Sequence, residues 1–318
     1  MGAPEPPVVL LSGPTASGKT ALAVALARAL DAEIVSVDSG LVYRGLDIGT
    51  AKPTREERGG VPHHLIDVRE PWEPYSAAAF VDDALACIEA IRARGRQPLL
   101  AGGTLLYVRA LERGLAPLPP ADPALRAALV AEAGRRGWQA LHAELARVDP
   151  VSAARIHPND PQRLQRALEV HALTGVPLGE LQRRTVPRLA APLIKLALLP
   201  DSRAWLHARI ERRLEGMVAA GFLDEVRALR ADPRVRSDLP AMRSVGYRQA
   251  WEHLERADES EGRWLERACA ATRQLAKRQL TWLRGMDALH AVSCDTLSPD
   301  AQADACLAHL QRSGITPP

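Results

Sequence analysis

The eight residues Gly13-Pro14-Thr15-Ala16-Ser17-Gly18-Lys19-Thr20 restrict this chain more than any other stretch. They complete a G-x-x-x-x-G-K-[ST] loop, set between an apolar run at residues 8–11 and an alanine-rich stretch of helical character at 21–30. In that strand–loop–helix context the glycines let successive amides turn inward, and the helix N-terminus adds partial positive charge. Lys19 is expected to reach the outer phosphate oxygens and the Thr20 hydroxyl to ligate Mg²⁺. The loop therefore predicts a di- or triphosphate ligand. It does not say what becomes of that ligand.

Further apolar runs bounded by turn residues, at 33–37, 98–101, Leu193–Leu199 and Leu289–Ser293, read as buried strands. Helical stretches lie at 19–30, 76–94, 104–113 and 202–229. This alternation predicts an α/β fold, a parallel sheet with helices on both faces, whose ligand sits beyond the carboxyl ends of the strands. Each of the first three strands ends in a candidate segment: the loop, then Asp38-Ser39, then Gly102-Gly103-Thr104. The proline-rich stretch at 116–123 interrupts the pattern, and 124–185 reads as helical with no buried strand. The expected organisation is a discontinuous core, residues 1–118 and 190–318, carrying a helical insertion at 119–189.

A length of 318 residues with 47% hydrophobic content suits one large or two modest domains. Neither an apolar stretch of membrane-spanning length nor a charged leader with a cleavage site is visible, so a cytoplasmic protein with no membrane partner is expected. Cys87, Cys269, Cys294 and Cys306 are scattered, without C-x-x-C spacing, and are expected to be structural thiols. His63 and His64 have no third ligand near in sequence, which favours a structural or surface role over a metal site. The net charge of +3 is unevenly spread: residues 1–110 carry 11 basic and 13 acidic groups, residues 111–318 carry 30 and 25. The downstream excess suits a polyanionic partner. Among 41 basic residues only Lys19, Lys52, Lys195 and Lys277 are lysine, a hint that a compact point charge is wanted at these places.

The ordinary owner of such a loop is a nucleoside-triphosphatase or a small-metabolite kinase. Here no apolar run ending in a Mg²⁺-binding Asp pairs cleanly with it. The strand-end carboxylate, Asp38, opens instead into Ser39-Gly40-Leu41-Val42-Tyr43-Arg44-Gly45-Leu46-Asp47-Ile48-Gly49-Thr50-Ala51-Lys52-Pro53. With the loop before it, that string resembles the tRNA dimethylallyltransferase family, which transfers an isoprenoid group to adenosine 37 of certain tRNAs. Four more blocks match the family in order. They are Gly102-Gly103-Thr104-Leu105-Leu106-Tyr107, residues 154–170, Arg243-Ser244-Val245-Gly246-Tyr247-Arg248-Gln249, and the stretch from Arg273 to Arg284. Leu41 departs from the pattern: many members carry Gln there, and a leucine brings no polar contact to a base.

The resemblance implies Mg²⁺-dependent transfer of a dimethylallyl group from dimethylallyl diphosphate to the exocyclic N6 amine of adenosine 37, with release of diphosphate. Asp38 is the candidate general base, a contribution of about 10²–10⁴-fold. The diphosphate falls to Gly13, Pro14, Thr15, Ala16, Ser17, Gly18, Lys19 and Thr20. The family adds Arg213 as a second cation, with Thr15 and Thr104 as hydroxyl donors near the bridging oxygen. An adenine in a stacked anticodon loop must be splayed out to react, so surfaces for phosphate backbone and unstacked bases are needed. The family assigns these to Asp38, Ser39, Gly40, Leu41, Thr104 and Arg126, and to Gln162, Arg163, Leu164, Gln165 and Arg166. It further assigns Arg243, Ser244, Val245, Gly246, Tyr247 and Arg248, then Lys277, Arg278, Gln279, Leu280, Thr281, Trp282, Leu283 and Arg284. On a helix Arg273, Lys277 and Arg284 share one face, with Trp282 nearby. The partners implied are the tRNA anticodon stem-loop and dimethylallyl diphosphate, with the protein acting as a monomer. Rival readings are a relative that prenylates free adenine nucleotides, which would not need the basic downstream blocks, a small-metabolite kinase that consumes ATP, and a non-catalytic RNA-binding switch.

Overall fold

The computed structural model describes residues 5–256 and 260–316. The chain divides into two compact units, one formed by the chain up to Arg109 and from Leu189 onward, the other by Ala110–Arg188. The divisions fall at 109/110 and 188/189, against the expected 118/119 and 189/190.

In chain order the elements are β1 (Val8–Ser12), α1 (Lys19–Ala29), β2 (Ala32–Val37), α2 (Arg55–Arg58), β3 (His63–His64), α3 (Ala77–Ala93), β4 (Gln97–Gly102) and α4 (Leu105–Arg113). Five helices follow: α5 (Pro123–Arg136), α6 (Trp138–Val148), α7 (Pro150–Arg155), α8 (Pro161–Thr174) and α9 (Leu178–Leu181). The chain then returns through β5 (Leu193–Leu199), α10 (Arg203–Ala219), α11 (Phe222–Ala231), α12 (Tyr247–Glu255), α13 (Glu261–Arg284), β6 (Leu289–Ser293) and α14 (Pro299–Arg312).

The six strands form one parallel sheet in the order β3-β2-β4-β1-β5-β6. All five residues of β1 are buried, which is why this strand reads as an unbroken apolar run rather than an alternating one. Leu22 and Leu26 of α1 and Cys306 and Leu310 of α14 share one core with Val9, Leu11, Ile34, Leu99, Leu196 and Leu198 of the strands. The register sets the level of the functional end: Ser12 lies beside Gly102, and Gly102 beside Val37. The segments that follow β1, β4 and β2 therefore begin in one row.

Two features depart from the sequence expectations. The helix expected over 202–229 is two helices, because α10 ends at Ala219 with Ala220 as its C-cap, and Gly221 takes the left-handed conformation (φ 94°) that starts α11. The two-residue edge strand β3, paired at Ile34–His63 and Val35–His64, is too short to leave a periodic signal.

The second unit closes around its own core of Leu141, Leu145, Leu164, Ala167, Leu168 and Val170. Its incoming and outgoing segments meet backbone to backbone: a Cβ on Gly114 (φ 78°) would lie 1.9 Å from the Val186 carbonyl oxygen. Among the described residues no helix is long and apolar enough to cross a membrane.

Candidate functional site

The loop at 13–20 begins directly from the row that ends β1, β4 and β2. It is tightly folded: a Cβ on Gly13 would lie 2.8 Å from Ser17 Oγ and 2.9 Å from the Leu198 carbonyl oxygen. Gly18, at φ 96°, precedes α1 and gives it no side-chain cap, whereas Ser76 and Ser202 cap α3 and α10. The first amides of α1 are thus left for an anion, the arrangement a phosphate-binding helix start requires. Within the loop the Ser17 hydroxyl is buried without a hydrogen-bond partner. Thr20, on the first turn of α1, is exposed.

Cations gather on this loop. Lys19 Nζ donates to the Pro14 carbonyl at 3.5 Å. Burial lowers the Lys19 ammonium from 10.5 to about 8; Asp38 opposes that shift and Arg213 adds to it. Arg213 donates from Nη2 to the Thr50 carbonyl at 3.2 Å. Its own pKa is lowered by burial, with Asp38 opposing and Arg209 adding. Arg209 donates from Nε to the Ala16 carbonyl at 2.8 Å and lies 4.7 Å above the Trp205 ring. Three cations crowd a partly buried loop whose nearby carboxylate is Asp38, an arrangement that an incoming polyanion relieves.

Asp38 stands at the end of β2. Its Oδ1 accepts from the Gly40 amide at 2.8 Å and the Leu41 amide at 3.4 Å, which fixes the carboxylate plane. Thr104, at the end of β4, accepts the Ser39 amide on Oγ1 at 3.0 Å and donates to Ser39 Oγ at 3.4 Å. The three strand-end segments anticipated from sequence are therefore brought together. Charge coupling links Asp38 to both Lys19 and Arg213.

Several residues that hold this arrangement either carry no signal in the sequence or, like Lys52 and Gln279, were singled out there for another reason. Glu225 accepts the amides of Asp47, Ile48 and Gly49 at 2.9, 2.7 and 3.1 Å, and the Tyr247 hydroxyl at 2.5 Å. It thereby fixes the segment whose Thr50 carbonyl receives Arg213. Lys52 is pinned by the Tyr43 carbonyl, Asp47 and Asp67 at 2.8, 2.6 and 2.5 Å, so this retained lysine is a structural clamp. Arg209 and Gln279 also belong here. Gln279 accepts the Thr15 amide on Oε1 and donates from Nε2 to the Gly103 carbonyl, both at 2.9 Å.

The residues assigned to tRNA divide by exposure. Arg243, Arg248, Lys277, Arg278, Thr281 and Arg284 are exposed in the first unit, and so is Trp282 at 39%. Ser244 and Val245 are half-buried, and Gly246 is buried. Arg273 pairs with Glu211 at 3.3 Å. Tyr247, Leu280 and Leu283 are core residues, so their side chains are packed inside the protein rather than displayed as the assignment to tRNA expects. In the second unit Leu164 is likewise core. The reason is helical rotation: a contiguous block on a helix sends some of its residues to each face. Gln162 and Arg163 are exposed, and Arg163 lies 3.4 Å from Asp160. Arg126 grips the buried Glu169 through two bonds of 2.8 and 3.0 Å, Arg166 adds a third at 2.7 Å, and Gln165 donates to the Arg126 carbonyl. These three side chains are first of all the polar scaffold of their unit.

For a metal, the described residues contain no cluster of three His, Cys, Asp or Glu. The oxygen donors present, the exposed Thr20 hydroxyl and the Asp38 carboxylate, suit a hard cation carried on a diphosphate rather than one caged by protein.

A family model described as IPP transferase matches residues 41–286. The chain is 61% identical over 287 residues to a tRNA dimethylallyltransferase of Stenotrophomonas maltophilia strain R551-3, covering 88% of this chain and 90% of the relative. It is 61% identical over 297 residues to that of Methylibium petroleiphilum, covering 92% and 90%. Among solved structures, the tRNA isopentenylpyrophosphate transferase of Bacillus halodurans matches with a TM-score of 0.70 at 38% identity, over 98% of this chain and 96% of that one. With a family match across most of its length and such identity over nearly all of it, the chain belongs to the IPP transferase family.

Proposed function

We propose that the protein transfers the dimethylallyl group of dimethylallyl diphosphate to the N6 amine of adenosine 37 in the anticodon loop of tRNA. The observation that carries this reading is the row of strand ends, which sets a diphosphate cradle, the Asp38 carboxylate and Thr104 side by side with Arg213. The bond from N6 to the first allyl carbon forms as the carbon–oxygen bond breaks, and that electron pair leaves with the diphosphate. The N6 proton goes to Asp38. Its Oδ1 is held by two backbone amides, so the carboxylate is oriented before the adenine arrives.

Negative charge grows on the departing diphosphate, and this reading gives it the uncapped first amides of α1, Lys19 and Arg213. Thr15 and Thr104 offer hydroxyl donors toward the bridging oxygen. Thr20 is the residue that would hold Mg²⁺, which supplies further neutralisation of the diphosphate when bound. The exposed Lys277, Arg278 and Arg284, with Arg243 and Arg248, bind the RNA backbone, and Trp282 offers a ring for an unstacked base. The exposed Gln162 and Arg163 extend that role to the second unit. The reading carries with it a monomer that works in the cytoplasm.

The test is direct. Protein, Mg²⁺ and labelled dimethylallyl diphosphate are mixed with unmodified tRNA or with AMP, and the label is followed. Label in tRNA is expected; label confined to AMP overturns the reading.

A further inference from the structure

We propose that Gln279 is a positioning residue for the diphosphate loop rather than a contact for RNA; the assignment rests on the function proposed above. Helix α13 presents Lys277, Arg278, Thr281, Trp282 and Arg284 outward. Gln279 lies among them in sequence but turns inward. Its one amide group spans two neighbouring strand ends: Oε1 takes the Thr15 amide that follows β1, and Nε2 gives to the Gly103 carbonyl that follows β4. These partners are 264 and 176 residues away in sequence.

The chemistry of the side chain matches this task. A primary amide carries an acceptor and a donor on one rigid plane; a carboxylate offers acceptors alone, and a thioether of similar reach offers no donor. The approach is close, since a Cβ on Gly103 would lie 2.5 Å from Gln279 Nε2 and 3.3 Å from the Gly13 carbonyl oxygen. Glycine at 103 is what admits the amide. Tying down Thr15 fixes where the cradle starts, and tying down Gly103 fixes the residue before Thr104. One side chain thus sets the spacing between the diphosphate loop and the threonine that steadies Ser39. It does so from the helix that carries the basic RNA face, so the two substrate surfaces share a rigid element.

The experiment compares Gln279→Met and Gln279→Glu with the unaltered protein. It measures the Kd for dimethylallyl diphosphate with Mg²⁺ in the absence of tRNA, the Kd for tRNA in the absence of donor, and kcat. Gln279→Met is expected to weaken donor binding by about 10-fold or more and to lower kcat, because two part-buried hydrogen bonds that hold the loop are lost. Its tRNA Kd is expected to stay within about two-fold, since no RNA-facing side chain is touched. Gln279→Glu keeps the acceptor for Thr15, loses the donor to Gly103, and should fall between. Lys277→Ala should show the reverse pattern, weaker tRNA binding with donor affinity kept. A rise in tRNA Kd with donor binding intact overturns the proposal, as does no change in either, or a joint loss of both. If Gln279→Met does not fold, the same readings on Gln279→Glu decide. Should the unaltered protein bind both substrates yet transfer nothing, the proposed function fails while the binding measurements still judge Gln279.

Discussion

The two ends of one parallel sheet treat buried charge in opposite ways. At the amino end Glu33 is 3% exposed and fully answered. Arg94 holds it with bonds of 2.9 and 2.6 Å, His64 approaches to 2.6 Å and Arg96 to 3.7 Å. The Arg94 hydrogen bond is the main cause that brings its carboxyl down to about 2; burial pushes the other way, and His64 and the Arg94 charge assist. At the carboxyl end the imbalance runs the other way. Lys19 and Arg213 both have lowered pKa values, the Ser17 hydroxyl has no partner, and α1 starts without a side-chain cap. Closed pairing at one end serves the fold. Positive charge only partly offset by Asp38 at the other suits an incoming anion.

Substitutions at the two ends should therefore separate activity from stability. Asp38→Asn should have the largest effect, a loss of about 10²–10⁴ in single-turnover transfer with tRNA affinity little changed. Near-normal turnover would remove Asp38 from the role of base. Arg213→Gln should cost about 10²–10³ in kcat, as for other preorganised donors to a developing anion, while the melting temperature moves little. At the opposite end, Glu33→Gln should leave transfer intact and cost about 2–3 kcal/mol of stability at pH 7, read from urea midpoints. Because the folded Glu33 pKa lies near 2 rather than 4.5, this stabilisation is complete above pH 4.5. It drains away as pH falls from 4.5 toward 2, and the Gln variant should lack that slope. If Glu33→Gln damaged transfer as much as Arg213→Gln, the contrast between the ends would collapse. Lys277→Ala is expected to be the mildest, a uniform weakening of tRNA binding with the slope of log Kd against log salt reduced by about one.

What could be read from sequence was what local pattern encodes. Apolar runs marked the main strands, glycine spacing marked the loop, and the strand-end positions of Asp38 and Thr104 followed from counting. The edge strand at His63 was too short for that, and Gly221 split the helical stretch at 202–229 that had read as continuous. Supporting residues were hidden for a different reason. Glu225 meets Asp47 from 178 residues away and Gln279 meets Thr15 from 264, and no periodicity reports such distances. Motif blocks misled in a third way. Leu280 and Leu283 sit beside Lys277 and Arg284 in sequence, yet the helix turns one pair into the core and the other to solvent.

The meeting of Gly114 with Val186 also bears on how such a chain tolerates its own insertion. The entropic penalty of closing a flexible loop grows, slowly, with its length, but here the folded five-helix segment brings its own ends together. To the sheet that interrupts itself for it, the segment behaves as a short turn. It could accordingly lengthen, shorten or be exchanged for another self-closing segment while the strand order stayed the same.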